Sequence, residues 1–290
     1  MFCSRTHSAV VAFQESYGIR ASGEVDERTW SALIEASWSF GERLLYLRSP
    51  NIRGDDVAEL QSRLNHLGFD CGRVDGIFGP RTVKALESFQ ENIGTTTTGI
   101  CTPEIAAVLA RMGSQSGTGP GVAVVRESVS LSEIIPHGES RLVVGYFSGL
   151  GALAHAVSRR IRDDHPLLST VDTDASSQAA AANLLGADCY IGFESSPDAG
   201  CVFQYYEVPS FISAGGRNLA ARLARAVADR VPELAVATRG LRHPVLRETR
   251  MPAVLCSMGP IDLVMMKQGP LSAAIRDAWE AWCHDPVTQL

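Results

Sequence analysis

The sequence predicts an α + α/β protein: small three-helix repeats joined to an α/β domain whose mostly parallel sheet is covered by helices on both faces. Three observations predict this class. The first part of the chain contains an internal repeat, a Gly/Ser run follows it, and short apolar runs then alternate with amphipathic stretches. At 290 residues, the chain is long enough for about two domains.

The internal repeat becomes visible when the chain is shifted by 76 positions. Residues 9–33, AVVAFQESYGIRASGEVDERTWSAL, then lie over residues 85–109, ALESFQENIGTTTTGICTPEIAAVL, with their Phe-Gln-Glu triplets superposed. We expect a partial repeat at residues 1–40 and a complete repeat at residues 41–112. Either the first copy has lost its opening helix and turn, or it was begun at a late start codon.

The complete copy contains the parts of a three-helix unit. GDDVAELQSRLNHLGF (54–69) has apolar residues at helical spacing, and Gly54-Asp55 precede them at the helix start. An Asp75-Gly76 turn follows, and Pro80 then stands where a helix's first turn tolerates a missing N–H. TPEIAAVLARM (102–112) predicts the third helix.

This three-helix pattern, with its Leu-Gln, Leu-Gly-Phe, Val-Asp-Gly and Phe-Gly pairs, resembles the peptidoglycan-binding type 1 domain over most of residues 54–111. The resemblance implies contact with peptidoglycan or muropeptide fragments. A turn and a helix start require the same residue types, so scaffold and protein-docking roles stay open. The candidate binding residues are Asp75, Gly76, Phe78, Gly79, Arg81 and Thr82.

The run GSQSGTGPG after Met112 has no apolar anchor and is typical of a flexible tether. It predicts a linker at residues 113–129 and a second domain at residues 130–290. In that domain, near-continuous apolar runs joined by amphipathic stretches favour a sheet buried on both faces. The strand candidates are residues 141–147, 167–171, 187–193, 201–206 and 251–258.

Function in such a sheet gathers at the carboxyl ends of the strands, where Glu194-Ser195 and Cys256-Ser257 lie. Two stretches here are similar to zinc-dependent N-acetylmuramoyl-L-alanine amidases of the amidase type 3 class. They are AANLLGADCYIGFESS (181–196) and HPVLRETRMPAVLCSMGPID (243–262). The resemblance spans roughly residues 130–284 and implies zinc held by two histidines and a carboxylate, with a glutamate as general base.

The positions that correspond to these catalytic groups carry other residues. Glu194 stands in place of a ligand histidine, Ser257 in place of the general base, and Gly149 or its neighbour Leu150 in place of the ligand glutamate. His137, in IIPHGES, is the alternative for the first ligand histidine. We therefore expect no intact metal or catalytic site and no cofactor, with zinc as the alternative.

Charge and apolar patterning exclude several classes of partner. The formal net charge is −6 and the 26 Lys and Arg are scattered, which argues against nucleic acid. The first twenty residues lack the apolar run of an export signal, and no apolar stretch of about 18 residues follows. The sequence thus predicts a cytoplasmic protein without a membrane span, whose seven cysteines are mostly buried thiols.

The order of these parts resembles the CwlM group of actinobacterial proteins. This resemblance implies a catalytically inactive, amidase-like regulator of peptidoglycan precursor synthesis, which acts through contacts with a cell-wall synthesis protein and by sensing muropeptides. One alternative is an active zinc amidase that cleaves the muramoyl-L-alanine amide. Another is a wall-binding protein, which would require export.

Overall fold

The computed structural model describes residues 2–113, 121–132, 140–147, 149–162, 167–169 and 173–286. The chain divides into two compact units, one of residues 1–126 with 209–211 and the other of residues 127–208 with 212–290. Each unit has a hydrophobic core of its own.

In residues 2–113 and 121–132, the N-terminal part is helical, with two isolated antiparallel β-bridges, Leu45 with Cys101 and Arg53 with Ile77. The helix predictions for the complete repeat are confirmed, because one helix begins directly after Gly54 and another begins at Pro80. Phe78 and Phe89 are fully buried in the core of this repeat. The helices are α1 (Ser4–Ser16), α2 (Glu27–Ala36), α3 (Asp55–His66), α4 (Pro80–Asn92), α5 (Pro103–Gly113) and α6 (Val122–Ser132).

The two copies of the repeat share their geometry as well as their sequence. Both ends of α4 lie 76 residues after those of α1, and α5 begins 76 residues after α2. A buried glutamine makes the same contacts in each copy: Gln14 Oε1 accepts from Gly23 N at 2.8 Å, and Gln90 Oε1 accepts from Gly99 N at 2.9 Å. The internal repeat is therefore confirmed at the level of single hydrogen bonds.

The second unit contains the predicted α/β arrangement. Its strands are β1 (Leu142–Tyr146), β2 (Leu167–Ser169), β3 (Cys189–Ser195), β4 (Gly200–Val208), β5 (Phe211–Ile212), β6 (Val236–Leu241) and β7 (Ala253–Gly259). Its helices are α7 (Gly151–Ile161), α8 (Ala175–Leu184), α9 (Ala214–Arg230), α10 (Pro244–Glu248), α11 (Ile261–Met266) and α12 (Gln268–His284).

The sheet is mixed but mostly parallel, with strand order β2-β1-β3-β7-β4-β5 and with β6 paired to β4. β1 pairs in parallel with β2 and β3, β3 with β7, and β4 with β6, whereas β4 and β7 are antiparallel. On one face, α7, α9 and α12 cover a core that includes the stacked rings of Trp279 and Trp282. α8 and α10 lie on the opposite face, so both faces are covered as predicted.

Two details differ from the sequence-based expectation. The second half of the predicted linker is helical, since α6 occupies Val122–Ser132 and buries Ala123 and Leu131. β5 and β6 had no counterpart among the strand candidates. β6 has the sequence VATRGL, and three of its six residues are exposed, so it lacks the continuous apolar run that characterises those candidates.

From residue 2 to residue 286, outside the gaps given above, no helix is both long enough and apolar enough to cross a bilayer.

Candidate functional site

The carboxyl ends of β3 and β7 bring two predicted site residues together. The strands are parallel neighbours, and their register places Glu194 opposite Ser257 and Ser195 opposite Met258. Residues in register on neighbouring strands face the same side of the sheet. The carboxylate of Glu194 and the hydroxyl of Ser257 therefore belong to one side of the sheet, at the edge where ligands bind in open α/β folds.

Gly149 lies at the same end of the sheet. A Cβ atom on this residue would lie 3.6 Å from Ser195 Oγ and 3.0 Å from Ile261 Cδ1. Its φ of 94° is in the left-handed region, which favours glycine. A glutamate at this position would thus be strained, in addition to meeting its neighbours closely.

A tight loop fixes the position of Ser196 after β3. Ser196 N donates to Met258 O at 2.8 Å, which extends the pairing of β3 with β7 by one residue. A Cβ atom on Gly259 would lie only 2.1 Å from Ser196 O and 2.6 Å from Asp198 O. Only glycine allows the loop after β3 to approach the end of β7 this closely.

A buried hydrogen-bond network lies on the Glu194 side of β3. Tyr190 Oη donates to Gln178 Oε1 at 2.7 Å, and Gln178 Nε2 donates to Tyr146 O at 3.0 Å. Burial, followed by the neighbouring Cys256 and Glu194, raises the pKa of Tyr190, so the phenol stays protonated as a donor. The sequence pattern did not predict this network. Its only signal is one glutamine in the alanine-rich helix α8.

The residues at this site do not fit the zinc ion that the fold family implies. Gly149 offers no donor, Ser257 offers a neutral hydroxyl, and Glu194 is a single carboxylate, whereas zinc takes three or four nitrogen, sulfur or carboxylate ligands. In the described part of the chain, no three His, Cys, Asp or Glu residues form a group able to hold a metal ion. The alternative ligand His137 lies outside the described residues.

The hydroxyl of Ser257 and the thiol of Cys256 lie at the end of β7 among described neighbours that do not activate them as nucleophiles. The register neighbour of Ser257 is a carboxylate, a base far too weak to remove the proton of an alkyl hydroxyl. Cys256 is fully buried in the core on the opposite face of the sheet. Burial, and then Cys201 and Glu194, raises the pKa of its thiol well above the usual value. On the described strands that pair with β7, the register neighbours of Cys256 and Ser257 are Phe193, Glu194, Phe203 and Val202, so none of these neighbours is a histidine that could act as base for acyl transfer.

This burial predicts the thiol reactivity of the native protein. Cys3 is exposed, and the Thr6 hydroxyl beside its sulfur holds the pKa of that thiol below its usual value, whereas burial raises the pKa of Cys283 to about 12. With the reagent DTNB, we expect one of the seven thiols to react rapidly and six only after unfolding. Cys3→Ser should remove the rapid phase, and a rapid phase that persists in this variant would contradict the burial.

The candidate binding residues of the complete repeat mostly hold the repeat together. Asp75 and Gly76 bond to the buried Gln61: Gln61 Nε2 donates to Asp75 Oδ1 at 2.8 Å, and Gly76 N donates to Gln61 Oε1 at 2.7 Å. Thr82 accepts from the same amide at 3.2 Å. Phe78 is fully buried and Gly79 caps α4, which leaves Arg81 as the exposed side chain of the set.

Known proteins resemble both parts of the chain. The peptidoglycan binding domain family matches residues 1–33 and 53–109. A spore cortex-lytic enzyme of Bacillus cereus is 53% identical over 47 residues, which cover 16% of this chain and 18% of that protein. In the solved structure of the N-acetylmuramoyl-L-alanine amidase AmiC2 of Nostoc punctiforme, 97% of that chain aligns with 49% of this one, at 16% identity and a TM-score of 0.42.

One relative aligns with nearly the whole chain. It is the N-acetylmuramoyl-L-alanine amidase CwlM of Mycobacterium tuberculosis, 31% identical over 310 aligned residues that cover 96% of this chain and 76% of the relative. Both the repeats and the α/β unit fall within this alignment. The chain therefore belongs to the CwlM family, with peptidoglycan-binding repeats ahead of an amidase-like α/β domain.

Proposed function

We propose that this chain is a catalytically inactive, amidase-like regulator of peptidoglycan precursor synthesis that acts in the cytoplasm through contacts with a cell-wall synthesis protein. One observation carries the proposal: the paired strand ends present Glu194 beside Ser257, where the amidase mechanism needs a metal-binding histidine and a general base. The left-handed Gly149, at the same end of the sheet and close to Ser195, supports the same reading.

The repeats are the part of this regulator that would bind its ligand. A peptidoglycan-binding module in the same chain as an inert hydrolase fold supports the sensing of muropeptide fragments, with Arg81 as the exposed candidate contact on the complete repeat. The module and the fold would then report the state of the cell wall to the synthesis partner without cleaving peptidoglycan.

Metal content and hydrolysis test the proposal together. We expect the purified chain, dialysed against zinc and then against buffer, to retain no stoichiometric metal by mass spectrometry. With purified sacculi, it should release no stem peptides, while an active zinc amidase in the same buffer releases them. One zinc per chain together with released stem peptides would establish an enzyme instead.

A single substitution sharpens this test. Ser257→Glu restores the carboxylate of the general base but leaves Glu194 and Gly149 unable to complete a zinc site. We expect this variant to remain inactive and metal-free. Activity gained by Ser257→Glu alone would mean that a metal is already bound, and would contradict the proposal.

The second candidate function is an active muramoyl-L-alanine amidase, and it is favoured by the similarity to the N-acetylmuramoyl-L-alanine amidase CwlM of Mycobacterium tuberculosis. The two candidates differ in cells as well as in vitro. Depletion of a regulator should change the pool of nucleotide-linked muropeptide precursors, and a chain carrying Glu194→Ala and Ser257→Ala should restore that pool. An enzyme with its chemistry at these strand ends would not tolerate the double change.

A further inference from the structure

A cavity in the α/β unit lies between the last turns of α7 and the first turns of α12. Its volume is about 300 Å³, which is at the lower end of the range for small-molecule sites. The cavity is open to solvent, since both of its arginines are exposed. The described residues that line it are Ala156, Arg159, Arg160, Gln268, Gly269 and Ser272.

This cavity is separate from the pair of Glu194 and Ser257. α7 and α12 cover the face of the sheet whose core contains Phe193 and Cys256. Successive side chains of a strand point to opposite faces, so Glu194 and Ser257 belong to the other face. The α7–α12 cavity is therefore a second candidate site, and what it binds does not depend on whether the strand ends are catalytic.

The lining of the cavity is positively charged. Arg159 and Arg160 contribute two guanidinium groups, and no acidic residue is among the described residues of the lining. Within the described ranges, no carboxylate forms an ion pair with either arginine. The planar guanidinium group presents N–H donors in pairs, which match the oxygens of phosphate groups. The lining thus favours an anion with several oxygens.

One of the two arginines is held in position by the protein. Arg160 Nε donates to Ser272 Oγ at 2.8 Å, and Ser272 Oγ donates to Gly269 O at 3.0 Å. Ser272 is 1% exposed, so this anchor is buried. The bond uses one of the five N–H donors of Arg160 and leaves the four on its terminal nitrogens for a ligand. A side chain that is fixed in advance loses less conformational entropy on binding.

The helix ends at the cavity add smaller charges to those of the arginines. α12 has 17 residues and begins at Gln268, with no capping bond from the side chain before it, so its start carries partial positive charge. The end of α7 carries a partial negative charge of roughly half a unit. The two full charges of Arg159 and Arg160 outweigh it, and the net field of the cavity attracts anions.

We propose that the α7–α12 cavity binds the phosphate groups of a small molecule. Arg159 and Arg160 bind the phosphate oxygens, and the start of α12 faces them. A diphosphate matches the lining best, because each guanidinium group then takes one phosphate group, whereas a single carboxylate would engage only one of the two.

Calorimetric titration of the full chain at constant ionic strength tests the site. The probes are pyrophosphate, inorganic phosphate and UDP, with acetate as the control anion. We expect saturable binding of pyrophosphate at one site per chain, at least about tenfold tighter than inorganic phosphate. Tighter binding of UDP than of pyrophosphate would assign the cavity to a nucleoside diphosphate, and equal affinity would assign it to the diphosphate group alone; both results support the proposal.

Substitution of Arg159 locates the binding. This side chain is exposed, so Arg159→Gln leaves the core unchanged, and we expect it to weaken pyrophosphate binding at least about tenfold. Arg159→Lys keeps the charge without the paired donors and should give an intermediate affinity. Arg225→Gln is the matched control, because this exposed arginine of α9 makes the same change in net charge and is outside the lining.

Four results would overturn the proposal. They are absence of saturable pyrophosphate binding at millimolar concentration, equal binding of acetate, unchanged affinity in Arg159→Gln, and an equal loss of affinity in Arg225→Gln. The last result would show that the net charge of the chain, and not the cavity, attracts the anion.

Discussion

Replacing Gln61 with alanine is expected to lower the free energy of unfolding of the complete repeat by about 3 kcal/mol. The buried amide of Gln61 accepts from Gly76 N at 2.7 Å and donates to Asp75 Oδ1 and Ile77 O at 2.8 and 3.1 Å. Alanine leaves these groups without their partner and opens a cavity among core residues. The large expected effect comes from the unsatisfied groups more than from the lost bonds themselves.

Hydrogen exchange measured by mass spectrometry resolves this loss within the full chain. Peptides of residues 54–109 should lose protection in the Gln61→Ala variant, and peptides of residues 189–259 should keep it. Gln14→Ala is the matched control, because this glutamine bonds within the partial copy, which contains α1 and α2. The Gln14→Ala variant should lose hydrogen-exchange protection in residues 4–36 alone. Unchanged protection in the Gln61→Ala variant would show that other contacts hold the turn at Asp75-Gly76 in place.

These glutamines also show why the sequence predicted the repeat but not its internal bonding. The Phe-Gln-Glu triplets marked the duplication because both copies need the same residue at the same place. The hydrogen bonds of Gln14 and Gln90 could not be predicted from the sequence, because each side-chain amide bonds to the backbone of a loop eight to ten residues away. The motif likewise indicates Asp75 and Thr82 as candidate ligand-binding residues. In the structure, the side chains of both accept hydrogen bonds from Gln61 Nε2.

The strands of the α/β unit could be predicted from the sequence where burial alone determines which residues are apolar. β1, β3, β4 and β7 are nearly continuous apolar runs, so they could be located from hydropathy. β6 is exposed over much of its length and owes its conformation to pairing with β4, a tertiary effect that hydropathy does not report.

The sequence likewise predicted where the candidate site residues lie on their strands, but not which of them lie next to each other. Glu194 and Ser257 could be assigned to strand ends, but their pairing depends on the order and register of β3 and β7. The left-handed backbone of Gly149 and the bond between Tyr190 and Gln178 depend on three-dimensional packing. The resemblance therefore predicts which catalytic groups are replaced, and the register of β3 and β7 places Glu194 opposite Ser257.

Gly259→Ala is expected to destabilise the α/β unit by about 3 kcal/mol and to displace the loop after β3. The added Cβ would meet the backbone oxygens of Ser196 and Asp198 at 2.1 and 2.6 Å, and backbone atoms cannot turn away as a side chain can. Relief requires the loop to move, which breaks the bond from Ser196 N to Met258 O. The neighbouring pair of Glu194 and Ser257 would then lose its fixed geometry.

Thermal unfolding followed by tryptophan fluorescence measures this effect, because Trp279 and Trp282 are both buried in the same unit. Gly269→Ala is the control: its added Cβ meets no atom within 4 Å, and alanine favours a helix over glycine by about 0.5–1 kcal/mol. We expect a lower midpoint for Gly259→Ala and an equal or higher one for Gly269→Ala. Equal midpoints for Gly259→Ala and the parent would mean that the loop moves freely, and that glycine is not required where the loop approaches the end of β7.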